Sequence, residues 1–134
     1  MIIDRINEPK DLKNLNQREL NVLAGEIRNA IINKLSVKGG HLTVALHYVF
    51  SSPTDKIIFD VSHQCYTHKI LTGRKNAFLV EEMYDEISGY SNPDESRHDF
   101  FNIGHTSTSI SLACGMAKAR DINHTNEDII AVIG

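Results

Sequence analysis

Three short polar segments of this chain gather the residue types that move protons and hold anions. The first is Asp60-Val61-Ser62-His63-Gln64-Cys65-Tyr66-Thr67-His68-Lys69. Imidazole is the side chain best suited to proton transfer near neutral pH. His63 stands two residues past the apolar run Lys56 to Val61 (KIIFDV). A histidine on a loop at the carboxyl end of a strand is well placed to meet a ligand. The competing reading is a surface histidine bonded to a neighbouring carbonyl, and spacing alone leaves both open. As metal ligands, His63, Cys65 and His68 match no common zinc spacing, and no second ligand pair follows. His68-Lys69 is therefore read as the start of a short helix through Ile70 and Leu71.

The second segment, Gly104-His105-Thr106-Ser107-Thr108-Ser109, supplies one glycine, one imidazole and four hydroxyls directly before a helical stretch. Free N–H groups and hydroxyls at a helix N-terminus suit an anion such as a diphosphate. A plain Ser/Thr N-cap accounts for one hydroxyl but not four. The third, Gly39-Gly40-His41, puts a histidine on a turn, although a helix stop explains both glycines. The chain closes on Ala131-Val132-Ile133-Gly134. A buried strand running into glycine is how phosphate-binding turns begin in open α/β sheets, where ligands lie beyond the strands' carboxyl ends. An uncovered central strand leaves apolar surface exposed, so the chain reads as a fragment cut at that turn. Cys114, among small apolar residues, reads as buried. Cys65 neighbours two histidines, but nothing arranges it as a nucleophile.

These segments need elements to position them. Leu20, Leu23, Ala24, Ile27, Ile31 and Leu35 repeat at i, i+3, i+4 spacing, which predicts an amphipathic helix from Asn16 to Leu35. Asn16 with Glu19 forms a capping-box pattern. Leu42 to Phe50 is a second helix, closed by Ser51-Ser52-Pro53. KIIFDV and Ile129 to Ile133 lack polar alternation, which suits strands covered on both faces of a parallel sheet. Ala77 to Ile87 is expected to be helical, and Ser88 to Asp99 a polar loop with a turn at Asn92-Pro93. Thr108 to Asp121 is a helix whose small residues permit close packing on a sheet. The order favours an α/β fold, a mainly parallel sheet flanked by helices. If both strands run parallel, His63 and Gly134 share one carboxyl edge.

The 134 residues suffice for a real core. No repeat or low-complexity stretch divides them, so 1–134 is read as one partial domain. A net charge of −3 and the lack of any basic run give no nucleic-acid footprint. No apolar run approaches membrane-spanning length. The opening MIIDRINEPKDL lacks the basic and apolar regions of a secretory signal. Two cysteines make no disulfide framework, so a reducing cytoplasm is the expected compartment.

Taken in order, GGH (39–41), LTVALHYVF (42–50), DKIIFDVSHQCYTHKILTGR (55–74), GHTSTSIS (104–111), GMAKARD (115–121) and AVIG (131–134) resemble the 1-deoxy-D-xylulose-5-phosphate synthase family of transketolase-like enzymes. The match covers most of the chain from Gly39 onward. The resemblance implies the amino-terminal part of a domain holding the diphosphate end of thiamine diphosphate. His63 resembles a histidine beside the reactive end of the cofactor, and His41 a second active-site histidine. Gly104, His105 and Thr106 resemble a segment lining the diphosphate. Gly134 resembles the opening of a Gly-Asp-Gly turn whose aspartate binds Mg2+. The implied reaction joins pyruvate to D-glyceraldehyde 3-phosphate with loss of carbon dioxide, in a homodimer. A related ketol-transfer enzyme with another acceptor and a non-catalytic paralogue are the alternatives. Two departures stand out. The family has a longer glycine-rich loop between GGH and LTVALH, and it has glycine where Ser62 stands.

Overall fold

The computed structural model describes residues 1–34, 41–60, 62–104 and 107–133; for residues 32–34, 62 and 63 it describes the backbone alone. Two compact units emerge, one from 1–51 with 66–87, the other from 52–65 with 88–134.

The first unit is built on helix α1 (Gln17–Lys34). Asn16 Oδ1 accepts from the N–H groups of Arg18 at 2.9 Å and Glu19 at 3.1 Å, and Glu19 Oε2 accepts from Asn16 N–H at 3.0 Å. This is the reciprocal capping box the sequence announces. The apolar stripe Leu20, Leu23, Ala24, Ile27 and Ile31 is buried as the periodicity requires, and Leu35 lies outside the described residues. Helix α2 (His41–Val49) buries Thr43, Val44 and His47. Its last carbonyls receive the Lys13 ammonium, at Tyr48 and, at 3.0 Å, Val49. A cation there complements the negative end of the helix dipole. The short helix α3 (Tyr66–Lys69) follows, joined to α2 by His47 Nε2 and His68 Nδ1, 2.8 Å apart and fully buried.

A wide turn over Ile70–Arg74 holds Gly73 at φ 95°. A Cβ there would sit 3.2 Å from the Asn7 carbonyl oxygen, so both backbone and space demand glycine. Helix α4 (Asn76–Leu79) is short. The sequence predicts helix from Ala77 to Ile87, but Val80 is extended and only a 3-10 turn at Glu81–Met83 follows. The β-branched Val80 and the exposed Glu81 and Glu82 offer no apolar face to bury. The N-terminal segment is sewn on by polar contacts. Glu26 accepts from the N–H groups of Ile2 and Ile3, and Lys75 Nζ donates to the carbonyls of Asp4 at 2.7 Å and Ile6 at 3.0 Å.

The second unit centres on strands β1 (Lys56–Phe59) and β2 (Ile129–Val132). They pair in parallel, with Phe59 opposite Val132, and helix α5 (Ser109–Asn123) packs against both. The α/β arrangement, a parallel sheet flanked by helix, is the one expected. β1 is buried on both faces, but Ile129, Ile130 and Ala131 of β2 are half-buried, and Cys114 is exposed where burial is expected. Ile110 and Ile122 of α5 are exposed as well, and the main element contacts of this helix run to the two strands. α5 ends at His124, which takes the left-handed conformation (φ 54°) usual for a helix stop. The polar loop 88–99 is ordered by its own side chains. Glu95 accepts from Ser88 N–H, Asp99 from Asn92 N–H, and Ser52 Oγ meets His98 Nδ1 at 2.9 Å.

Candidate active-site rim

The parallel register fixes where the chemistry-bearing segments begin. β1 ends at Phe59 and β2 at Val132, and Asp60 N–H extends the ladder by donating to the Val132 carbonyl at 2.8 Å. Both strands therefore leave the sheet at one carboxyl rim. Ser62–Cys65, with the His63 backbone in it, is a 3-10 turn directly beyond β1. Cys65 closes that turn and is buried.

Asp60 dominates the described part of this rim. Its carboxylate accepts from the N–H groups of Ser107 at 2.9 Å, Thr108 at 3.0 Å and Ser109 at 3.1 Å. The residue is only 5% exposed, and a buried carboxylate persists only when paired or hydrogen-bonded. Hydrogen bonding, first from Ser107 and then from Ser109, holds its carboxyl below the ordinary aspartate range, against the opposing effect of burial. Asp60 is thus the anion at the N-terminus of α5. Three N–H groups, from the first residue of α5 and the two residues before it, are thus spent on an internal carboxylate and not on a diphosphate. Thr108, in the cap position, makes no side-chain cap bond of its own. Ser107 adopts φ 70°, unusual for a residue with a side chain.

Upstream of that clamp, Gly104 is exposed, and a Cβ on it would meet nothing within 4 Å. A ligand can approach the backbone there. Ile103, immediately before it, is buried and forms an antiparallel bridge with Ser91. Gly104 and the His63 backbone both belong to the second unit. His41 belongs to the first, as the exposed opening residue of α2 and not part of a free turn. It borders a groove of about 180 Å3 between α1 and α2, lined also by Leu20, Ala24, Val44 and Tyr48. His105, Thr106 and Gly134 lie outside the described residues, as does the His63 side chain. Among the described residues no group of three or more His, Cys, Asp or Glu could hold a metal ion, and no helix is long and apolar enough to cross a membrane.

Sequence reasoning missed the role of Asp60 and the His47–His68 pair. An aspartate interrupting the apolar run Lys56 to Val61 was the available signal for the first. Both partners of the second stood in the quoted segments, but twenty residues of chain separate them.

Comparison with known proteins supplies the rest. The family model for 1-deoxy-D-xylulose-5-phosphate synthase matches residues 3–134. The synthase of Halothermothrix orenii is 51% identical over 142 residues, covering 99% of this chain and 22% of that protein. That of Dictyoglomus thermophilum is 50% identical over 143 residues, covering 100% and 23%. That of Natranaerobius thermophilus is 49% identical, covering 99% and 22%. The chain thus spans less than a quarter of the length of these relatives. The aligned lengths exceed the 134 residues present here, so the relatives carry residues within the match that have no counterpart in this sequence. With the whole chain matched at about half identity, it belongs to the 1-deoxy-D-xylulose-5-phosphate synthase family.

Proposed function

We propose that the polypeptide carrying this chain condenses pyruvate with D-glyceraldehyde 3-phosphate, releasing carbon dioxide, with thiamine diphosphate and Mg2+ as cofactors. The observation that carries the reading is the parallel pairing of β1 and β2, which sends the His63 turn and the chain after Val132 out at one rim. A carboxyl rim is where open α/β sheets bind ligands.

The residues at hand suit the organic cofactor in part. Open space beside Gly104 admits a phosphate close to the backbone, and His105 and Thr106 add donors of the right type. The N–H groups of Ser107, Thr108 and Ser109 add none, since Asp60 takes them. For Mg2+ the reading rests on the resemblance of Gly134 to the opening of a metal-binding turn. Thiamine diphosphate, when bound, supplies the electron sink that decarboxylation of a 2-oxo acid requires. His63 then moves a proton at the reacting carbon's oxygen. His41 is a second imidazole for the same work. The functional unit is a homodimer and its setting cytoplasmic.

The test is release of carbon dioxide from pyruvate by the natural polypeptide, with and without thiamine diphosphate, Mg2+ and the aldehyde. Full dependence on all three is expected. His63→Ala should lower kcat by about 10²- to 10⁴-fold, the usual worth of a general acid–base group. Turnover that ignores thiamine diphosphate, or survives His63→Ala unchanged, defeats the proposal.

A further inference from the structure

Helix α2 is held by little apolar surface. Of its nine residues only Thr43, Val44 and His47 are buried, while Leu42 and Val49 are exposed. Lys13 holds its far end, but an ammonium among terminal carbonyls sits near the helix axis and fits many rotations about it. The directional contact is His47 Nε2 to His68 Nδ1 at 2.8 Å, with the two rings stacked at 5.0 Å between centroids. His68 is itself fixed, since Thr72 Oγ1 donates to its carbonyl at 2.7 Å. Two imidazoles are costly to bury where two leucines would serve, because each polar nitrogen loses water. What the bond adds is direction: it fixes the rotation of α2 on α3, which apolar packing leaves looser.

His41 opens the same helix and is exposed. It lies six residues before His47, about 9 Å along the axis. A side-chain head about 5–6 Å from a helix axis moves about 1 Å when the helix turns by about 10°. A shift of that size at a reacting group costs about 10²-fold in rate. We propose that His47 and His68 are a positioning pair for His41: their contact sets the rotation of α2 and thereby where the His41 imidazole meets substrate, with no contact to substrate themselves. This rests on the function proposed above, in which His41 is a second proton-moving imidazole. A core pair with no such role would cost stability alone.

The experiment uses the natural polypeptide with thiamine diphosphate, Mg2+, pyruvate and the aldehyde, at a temperature where circular dichroism shows each variant folded. His68→Leu removes the ring nitrogen, and His68→Asn puts an amide where Nδ1 stood. His41→Ala and His41→Ala/His68→Leu complete a double-mutant cycle. His68→Leu should lower kcat about 10²-fold and leave KM for pyruvate within about three-fold. His68→Asn should recover about ten-fold or more of that loss, because the amide restores the bond. With His41→Ala already present, His68→Leu should lower kcat by no more than about three-fold, since the group it misplaces is gone. The same large drop in both backgrounds overturns the proposal, as does a folded His68→Leu variant with kcat within about three-fold of the parent. If His68→Leu does not fold, His68→Phe keeps a ring against His47, lacks the nitrogen, and carries the same cycle with the same outcomes. A natural polypeptide indifferent to thiamine diphosphate defeats the function reading and this inference together. Cofactor dependence and a costly His41→Ala, with His68→Leu additive to it, defeat this inference alone.

Discussion

Two glycines of the first unit should respond oppositely to alanine. Gly73 stands at φ 95°, and a Cβ on it would meet the Asn7 carbonyl oxygen at 3.2 Å. A left-handed conformation costs an L residue about 1–2 kcal/mol. The carbonyl is backbone and cannot swing aside, so the total is about 2 kcal/mol or slightly more. Gly25 lies inside α1 with nothing within 4 Å of its would-be Cβ. Alanine there should gain about 1 kcal/mol of helix propensity. Each substitution restricts the unfolded chain equally, so that contribution cancels in the comparison. The two variants should therefore differ by about 3 kcal/mol in unfolding free energy. With a urea slope of about 2 kcal/mol/M, their midpoints lie about 1.5 M apart, Gly73→Ala below the parent and Gly25→Ala above it. Far-UV circular dichroism of the 134-residue chain in urea reads both variants. Midpoints that move the same way, or Gly73→Ala at or above the parent, would refute the backbone geometry assigned to the 70–74 turn.

Other expectations follow from single contacts. The Asp60 carboxyl is held below its ordinary value, so its bonds contribute fully above the unfolded value of about 3.9 and are lost as pH falls through the lower folded value. NMR shifts of the Ser107, Thr108 and Ser109 amides should stay level from neutrality to about pH 4 and move together only below it; a joint transition near pH 6 would mean another acceptor. His68→Leu removes the ring that meets buried His47 at 2.8 Å. It should cost about 1–3 kcal/mol, and His47→Leu/His68→Leu less than the two single changes combined. Additive costs in urea unfolding would show that the rings do not act as a pair. In the 134-residue chain Cys114 is exposed and Cys65 buried. A thiol-disulfide reagent should count one thiol in native buffer and two in denaturant; two in native buffer would contradict the burial of Cys65.

The regular elements were legible because each carries its own periodicity. α1 shows a 3.6-residue stripe and a reciprocal cap at Asn16 and Glu19, all within one segment. β1 and β2 are apolar runs with polar turns around them, and their parallel pairing follows from a helix lying between. Failures arise where the outcome depends on what packs against a segment. Ala77 to Ile87 holds enough helix formers to suggest a helix, yet no buried face supports one beyond Leu79. Cys114 has neighbours in sequence that look like core, but the side of α5 that it occupies is exposed. Composition fixes what a residue tolerates, and only a partner decides whether it is covered.

The rim shows the same division at the level of chemistry. Glycine, imidazole and hydroxyls before a helix do announce an anion at its N-terminus, and an anion is there. It is the chain's own Asp60, forty-seven residues before Ser107. A helix N-terminus does not distinguish a phosphate from a carboxylate, since its N–H groups and dipole reward either. The choice is made by proximity. A carboxylate fixed at the end of β1 loses little freedom on binding, whereas a free ligand must surrender translation and rotation. Parallel pairing with β2, which brings α5 down onto β1, supplies that proximity, and neither segment encodes it alone. The N–H groups of Ser107, Thr108 and Ser109 are thereby removed from any diphosphate site. A cofactor bound at this rim would leave those three groups on Asp60. That is why the amide shifts at Ser107–Ser109 should follow Asp60 and stay nearly unmoved when thiamine diphosphate is added.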